Sequence, residues 1–124
     1  MTIASVLSIL LLSFHLTDDI VRGFEPGGAK TYNAILIMVV WLYGTLVLAE
    51  RRSGYIIIFL GSLLAMFVPY IHMKGKGVGA ASRIAGSSGH FFFVWTLIAI
   101  GVLGLFSAIL SARGLWNLPW RRAR

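Results

Sequence analysis

Read for polarity alone, the chain falls into four long apolar runs, three polar breaks between them and a basic tail. The runs cover about residues 3–22, 32–49, 55–71 and 91–112, and the tail covers 113–124. "YNAILIMVVWLYGTLVLA", "YIIIFLGSLLAMFVPYI" and "FFFVWTLIAIGVLGLFSAILSA" are continuous rather than alternating. That pattern suits helices crossing a hydrocarbon core of about 30 Å, not the strands of a barrel. The β-branched residues do not argue against helices, because a bilayer leaves a spanning segment no other way to satisfy its backbone. The expected fold is an all-α integral membrane protein, with four transmembrane helices in an antiparallel up-down bundle forming one domain over residues 1–124.

The breaks differ in kind. "ERRSG", residues 50–54, is short and charged, so the second and third helices should be antiparallel neighbours. "GFEPGGAK", residues 23–30, carries Pro26 and a glycine pair and reads as a tight turn. The third break holds five glycines and three serines between Met73 and His90 and reads as the most mobile segment. Its "GKGVG" lacks both the preceding strand and the Gly-Lys-Ser/Thr that opens a helix in a phosphate-binding loop, so a linker is the better reading.

Composition agrees with the pattern: 58% of the 124 residues are hydrophobic and 12% charged, with a mean hydropathy of +0.87. Little chain is left for a separate soluble domain. The net charge of +7 lies in connections and tail, without a recognition helix or aromatic-basic ribbon, so membrane lipids are the expected partners and no nucleic acid is expected. With no cysteine, disulfides, thiolate metal sites and cysteine nucleophiles are excluded. "MTIASVLSILLLSF" lacks the basic flank and cleavage site of a signal peptide and is expected to be a retained first span.

Alternating spans place Arg51, Arg52, Arg113, Arg121, Arg122 and Arg124 on the side of both termini, against Arg22, Lys30, Lys74, Lys76 and Arg83 on the other. The excess favours cytoplasmic N- and C-termini in a bacterial-type cytoplasmic membrane. In the tail "ARGLWNLPWRRAR", Arg113, Trp116, Trp120, Arg121, Arg122 and Arg124 are expected at the lipid interface, as an aromatic and basic anchor.

The apolar pattern breaks once inside a span, at "SFHLTDDIVRG". His15, Asp18 and Asp19 stand at i, i+3 and i+4, so the two carboxylates flank the imidazole's face of the helix. For a helix starting near Ile3, the rise places His15 roughly 18 Å and Asp19 roughly 24 Å along it. An uncompensated carboxylate near the bilayer centre costs about 2.5 to 3.5 kcal/mol, less toward the interface, and the helix C-terminus opposes it further. Arg22 is in reach of both aspartates but carries one charge for two. Connectivity adds His72 and His90, with Glu25, Tyr32 and Tyr70, to the same membrane face.

Three chemistries fit these residues. Asp18, Asp19 and Arg22 can form an interfacial ion-pair cap, with His72 and His90 marking helix ends. His15, Asp18, Asp19, Tyr70, His72 and His90 can line a ligand-binding or proton-handling pocket, in which an aspartate holds the tautomer of His15. His15, Asp18, Asp19 and His72 can bind a metal, the donor types suiting zinc, iron or manganese although the spacing matches no established helical motif. Elsewhere, Ser62, Thr96, Ser107 and Thr45 read as interhelical hydrogen-bonding groups, and Gly101 and Gly104 as a possible face for self-association. Pro69 is expected to disturb the third helix, and Trp41 and Tyr43 to serve packing or the interface. The leading expectation is an accessory or interaction subunit that binds a small ligand at one membrane face, with partners among other membrane proteins or copies of itself. The alternative is a membrane enzyme or proton-coupled carrier working through His15, Asp18 and Asp19, with metal binding as a variant.

Overall fold

A computed structural model of the chain describes residues 1–24, 28–74, 86 and 88–118. These residues form four helices and no strand: α1 (Thr2–Val21), α2 (Ala29–Leu46), α3 (Arg52–Lys74) and α4 (His90–Asn117). Three are long and apolar enough to cross a membrane, and α2 is apolar but shorter. The all-helical four-element fold is therefore the expected one, and it fits a membrane-embedded protein. Lys76, Arg83 and Glu25 lie outside the described residues, as do Trp120, Arg121, Arg122 and Arg124 of the tail.

The helix ends move from the expected bounds for local reasons. α2 stops at Leu46 because the backbone turns there: Leu48 N–H bonds back to the Tyr43 carbonyl, and Glu50 takes a left-handed φ of 65°. α3 starts early because Gly54 packs directly against the carbonyl of Leu48, a contact no side chain would permit. α4 runs past Ala112 because Gly114 lies against the ring of Tyr55, which keeps the segment packed on α3.

α1 ends in a Schellman turn. Gly23, at φ 73°, lets its own N–H reach the Ile20 carbonyl (3.1 Å) and the Phe24 N–H reach that of Asp19 (2.7 Å). Phe24 then packs on Phe93 and Leu97 of α4. The turn thus holds the last turn of α1, the one that carries Asp18 and Asp19, against α4.

α3 and α4 form the most extensive pair, α1 packs on α4 and α2, and α2 packs on α3, so that α2 and α4 occupy opposite flanks. Close approach depends on missing side chains. A Cβ at Gly61 would lie 2.5 Å from Trp41, and one at Gly104 would lie 3.0 Å from Ala65 and from the Ser62 carbonyl. Gly101 makes room for the ring of Pro69, which stands inside α3. Gly101 and Gly104 therefore serve the contact between α3 and α4 within one chain, where the sequence had suggested a face for a second copy.

The bundle is apolar outside and polar inside. Leu36, Phe67, Ile98, Val102 and Phe106 face outward, while Ser5, Thr45, Ser62, Thr96, Ser107 and Ser111 are fully buried together with His15 and Asp19. In water this distribution would be unfavourable. In a bilayer it is expected, because lipid solvates the aliphatic surface and polar groups find partners only between helices. Trp41, Ile58, Ala65 and Ile100 fill the apolar part of the interior.

Candidate functional site

Successive residues on a helix point about 100° apart, and this separates the two aspartates of α1. Asp18 turns to the rim, where Arg22 Nε donates to its Oδ1 at 2.7 Å. The same guanidinium donates from Nη1 to Ser88 Oγ (3.2 Å) and lies over Gly89, tying the end of α1 to the start of α4. Asp19 turns inward, 1% exposed, beside His15, 3% exposed. Their closest atoms, His15 Nε2 and Asp19 Oδ2, are 3.5 Å apart, an ion-pair separation rather than a short hydrogen bond. The expected contact of Arg22 is thus made to Asp18, and Asp19 has His15 beside it.

The third member comes from α3. A nitrogen of His72, a nitrogen of His15 and a carboxylate oxygen of Asp19 all lie within 4.8 Å of one another. The two imidazoles meet edge to face at 5.2 Å between centroids, and both rest on Phe93 of α4, at 5.0 Å for His15 and 5.5 Å for His72. Phe93 is fully buried, so it forms a firm floor beneath both rings.

Thr96 is the hydrogen-bond partner of His15 Nδ1. Its Oγ1 lies 2.9 Å from the Phe92 carbonyl and 3.0 Å from that of Phe93, either of which can take its single hydrogen. His15 Nδ1 lies 2.9 Å from the same oxygen and donates to it in the tautomer in which the Thr96 hydrogen is on the α4 backbone. In that tautomer the neutral imidazole keeps its lone pair on Nε2, which is 3.5 Å from Asp19 Oδ2 and buried with no hydrogen-bond partner among the described residues. A lone pair set against a carboxylate is unfavourable unless a cation, either a proton or a metal ion, lies between them.

His15, Asp19 and His72 close one end of a cleft of about 280 Å³ between α1, α2 and α3. The remaining wall is aliphatic, including Leu12, Ile37, Met38, Leu64, Val68 and Ile71. Ile37, Leu64 and Ile71 are also exposed on the outer surface, so the cleft opens sideways among lipid-facing residues.

The other sequence candidates are placed elsewhere. Tyr70 is exposed, with the Lys74 ammonium 5.0 Å from its ring centre. His90 is exposed at the start of α4, in a separate shallow cleft with Phe91, Val94, Trp95 and Ile98. Trp116 lines a cleft of about 510 Å³ together with Arg52 and Leu115. That cleft is larger but lies away from the buried ionisable groups. Arg113 is exposed on α4.

The positioning roles of Thr96 and Phe93 were not visible in the sequence beyond the note that Thr96 could hydrogen-bond between helices. The one signal was a lone threonine inside "FFFVWTLIAI". Comparison with protein-family models, curated proteins and solved structures finds no match, so the chemistry of the site rests on its own geometry.

Proposed function

We propose that this chain is a ligand-binding membrane protein that takes a small amphiphile from the bilayer into the cleft between α1, α2 and α3. The amphiphile's oxygen-bearing end would meet His15, Asp19 and His72, and its apolar part would lie along Leu64, Val68 and Ile37. One observation carries this reading: a sideways-opening, aliphatic-walled cleft ends on three ionisable side chains drawn from two helices. Binding sites commonly pair mostly apolar walls with a few placed polar groups, and this cleft is at the small end of their usual size. An interfacial cap explains Asp18 and Arg22 but not a histidine and an aspartate that are almost fully buried.

The proposal extends to orientation. The arginine excess favours both termini on the cytoplasmic side of a bacterial-type cytoplasmic membrane, and the polar end of the cleft would then lie toward the outer face. Arg113 and Trp116 would meet headgroups at the inner face. A subunit that delivers or senses a membrane-soluble compound for a larger assembly fits this arrangement. Proton exchange with the bound compound through His15 is the route by which the same site would become catalytic.

The test is photolabelling of the purified chain in lipid nanodiscs with a diazirine-bearing medium-chain fatty acid. Saturable labelling should map to Ile37, Leu64, Val68 and Ile71, and Ala34→Trp should abolish it by filling the cleft. Labels spread evenly over Val102, Leu105 and Ile109, and unaffected by Ala34→Trp, would falsify the proposal.

A further inference from the structure

The geometry points to a divalent first-row transition-metal site at the closed end of the cleft, with His15 Nε2, a carboxylate oxygen of Asp19 and a nitrogen of His72 as its three protein ligands. The inference deepens the ligand reading, because the open coordination position would face the amphiphile. It stands on separate observations.

The donor set comes first. Two imidazoles and one carboxylate, without sulfur, suit zinc or ferrous iron, and three protein ligands with an open position are the usual arrangement of a reactive rather than a structural centre. Spacing comes second. A tetrahedral ion bound at ~2.0–2.1 Å holds its ligand atoms about 3.3 Å apart, and His15 Nε2 and Asp19 Oδ2 are already 3.5 Å apart. The three ligand atoms all lie within 4.8 Å of one another, so a modest turn of the half-buried His72 ring would complete the set.

Orientation is the third observation and the most specific. A metal-bound histidine generally donates its other ring N–H to an oxygen, which fixes the tautomer and aims the lone pair. Thr96 is placed to do this for His15: with its own hydrogen on the α4 backbone it accepts from Nδ1 and leaves Nε2 bare and buried, 3.5 Å from Asp19 Oδ2.

Charge connects the ion to the cleft. The three ligands themselves, one carboxylate and two neutral imidazoles, offset one of the two charges of a divalent ion, which favours an anionic oxygen at the open position. The amphiphile is thereby narrowed to one with an ionisable oxygen, such as a carboxylate or a phenolate-type hydroxyl. Asp18 does not supply that charge, being paired with Arg22 at the rim.

The experiment is a cobalt titration of the full chain in mild detergent after removal of metal with a chelator. Co²⁺ should bind one per chain with visible d–d bands of a low-symmetry site, and Zn²⁺ should bleach them. Asp19→Asn and His72→Gln should each weaken binding at least 100-fold. Thr96→Val should weaken it 10- to 100-fold, the usual range for an outer-shell partner. Asp18→Asn and His90→Gln should leave it unchanged. Absence of one-to-one binding by the folded wild-type chain overturns the inference without needing any variant to fold. So does binding that survives Asp19→Asn or follows His90. Photolabelling of chelator-treated protein reads the cleft by itself, so the metal and the amphiphile can fail independently.

Discussion

Among the described residues two buried hydrogen-bond chains join the helices, and one ends satisfied where the other leaves a nitrogen over. In the first, the Trp41 indole donates to Ser5 Oγ (2.8 Å), Ser5 and Thr45 share a bond of 2.7 Å, and Thr45 donates to the Trp41 carbonyl (2.8 Å). In the second, His15 Nδ1 donates to Thr96, and Thr96 donates to the α4 backbone. Both chains end on a main-chain carbonyl. They differ at their head, because an indole has one polar atom and an imidazole has two. The Trp41 chain is satisfied once Ser5 accepts, and it only holds helices together. The His15 chain aims a second nitrogen at Asp19 and His72, so the same device that fixes a rotamer also presents a lone pair.

That contrast can be broken most severely at its structural end. Trp41→Ala removes a fully buried side chain from the contact of α2 with Gly61 and leaves Ser5 without its donor. A loss of about 3–5 kcal/mol is expected in denaturant unfolding from detergent micelles. Binding of cobalt per folded molecule should not change. A smaller but more telling effect is expected at the other end. His15→Phe removes the imidazole whose Nε2 lies 3.5 Å from the Asp19 carboxylate and should cost about 3 kcal/mol, while adding Asp19→Leu should restore most of that stability. Recovery in the double variant would show that the pair is not kept for folding; a further loss would make it a structural ion pair. The smallest change belongs to the rim: Asp18→Asn should alter stability by less than about 0.5–1 kcal/mol, and less still in high salt.

The residues in these tests also show how far the sequence could be read. Four apolar runs were enough for four helices, because a bilayer admits few alternatives, and the charged pair inside the first run was enough to mark α1 as the helix that carries buried ionisable groups. The division of labour between Asp18 and Asp19 was not legible. Adjacent residues diverge on any helix, and which of them faces inward depends on where α4 lies against α1. That is decided by a threonine 81 positions from His15 and by the turn at Gly23. Connectivity grouped all three histidines at one membrane face, but a shared face is not a shared centre: His72 turns toward His15, while His90 is exposed at the first position of α4. The glycines of "GVLG" were legible as sites of close helix approach, but not the helix they approach. Small residues mark close approach without naming the partner, which here is α3 of the same chain.

One further consequence follows from the unequal helices. α2 has 18 residues and α4 has 28, on opposite flanks of the bundle; at the rise of a helix these are about 27 Å and 42 Å. A bilayer meeting the two flanks is pinched beside α2 and stretched, or met by a tilted helix, beside α4. Each molecule therefore carries a built-in gradient of membrane thickness across its own width. In bilayers of graded thickness such a particle is expected to sort toward the thin regions, a lateral sorting that requires no specific contact.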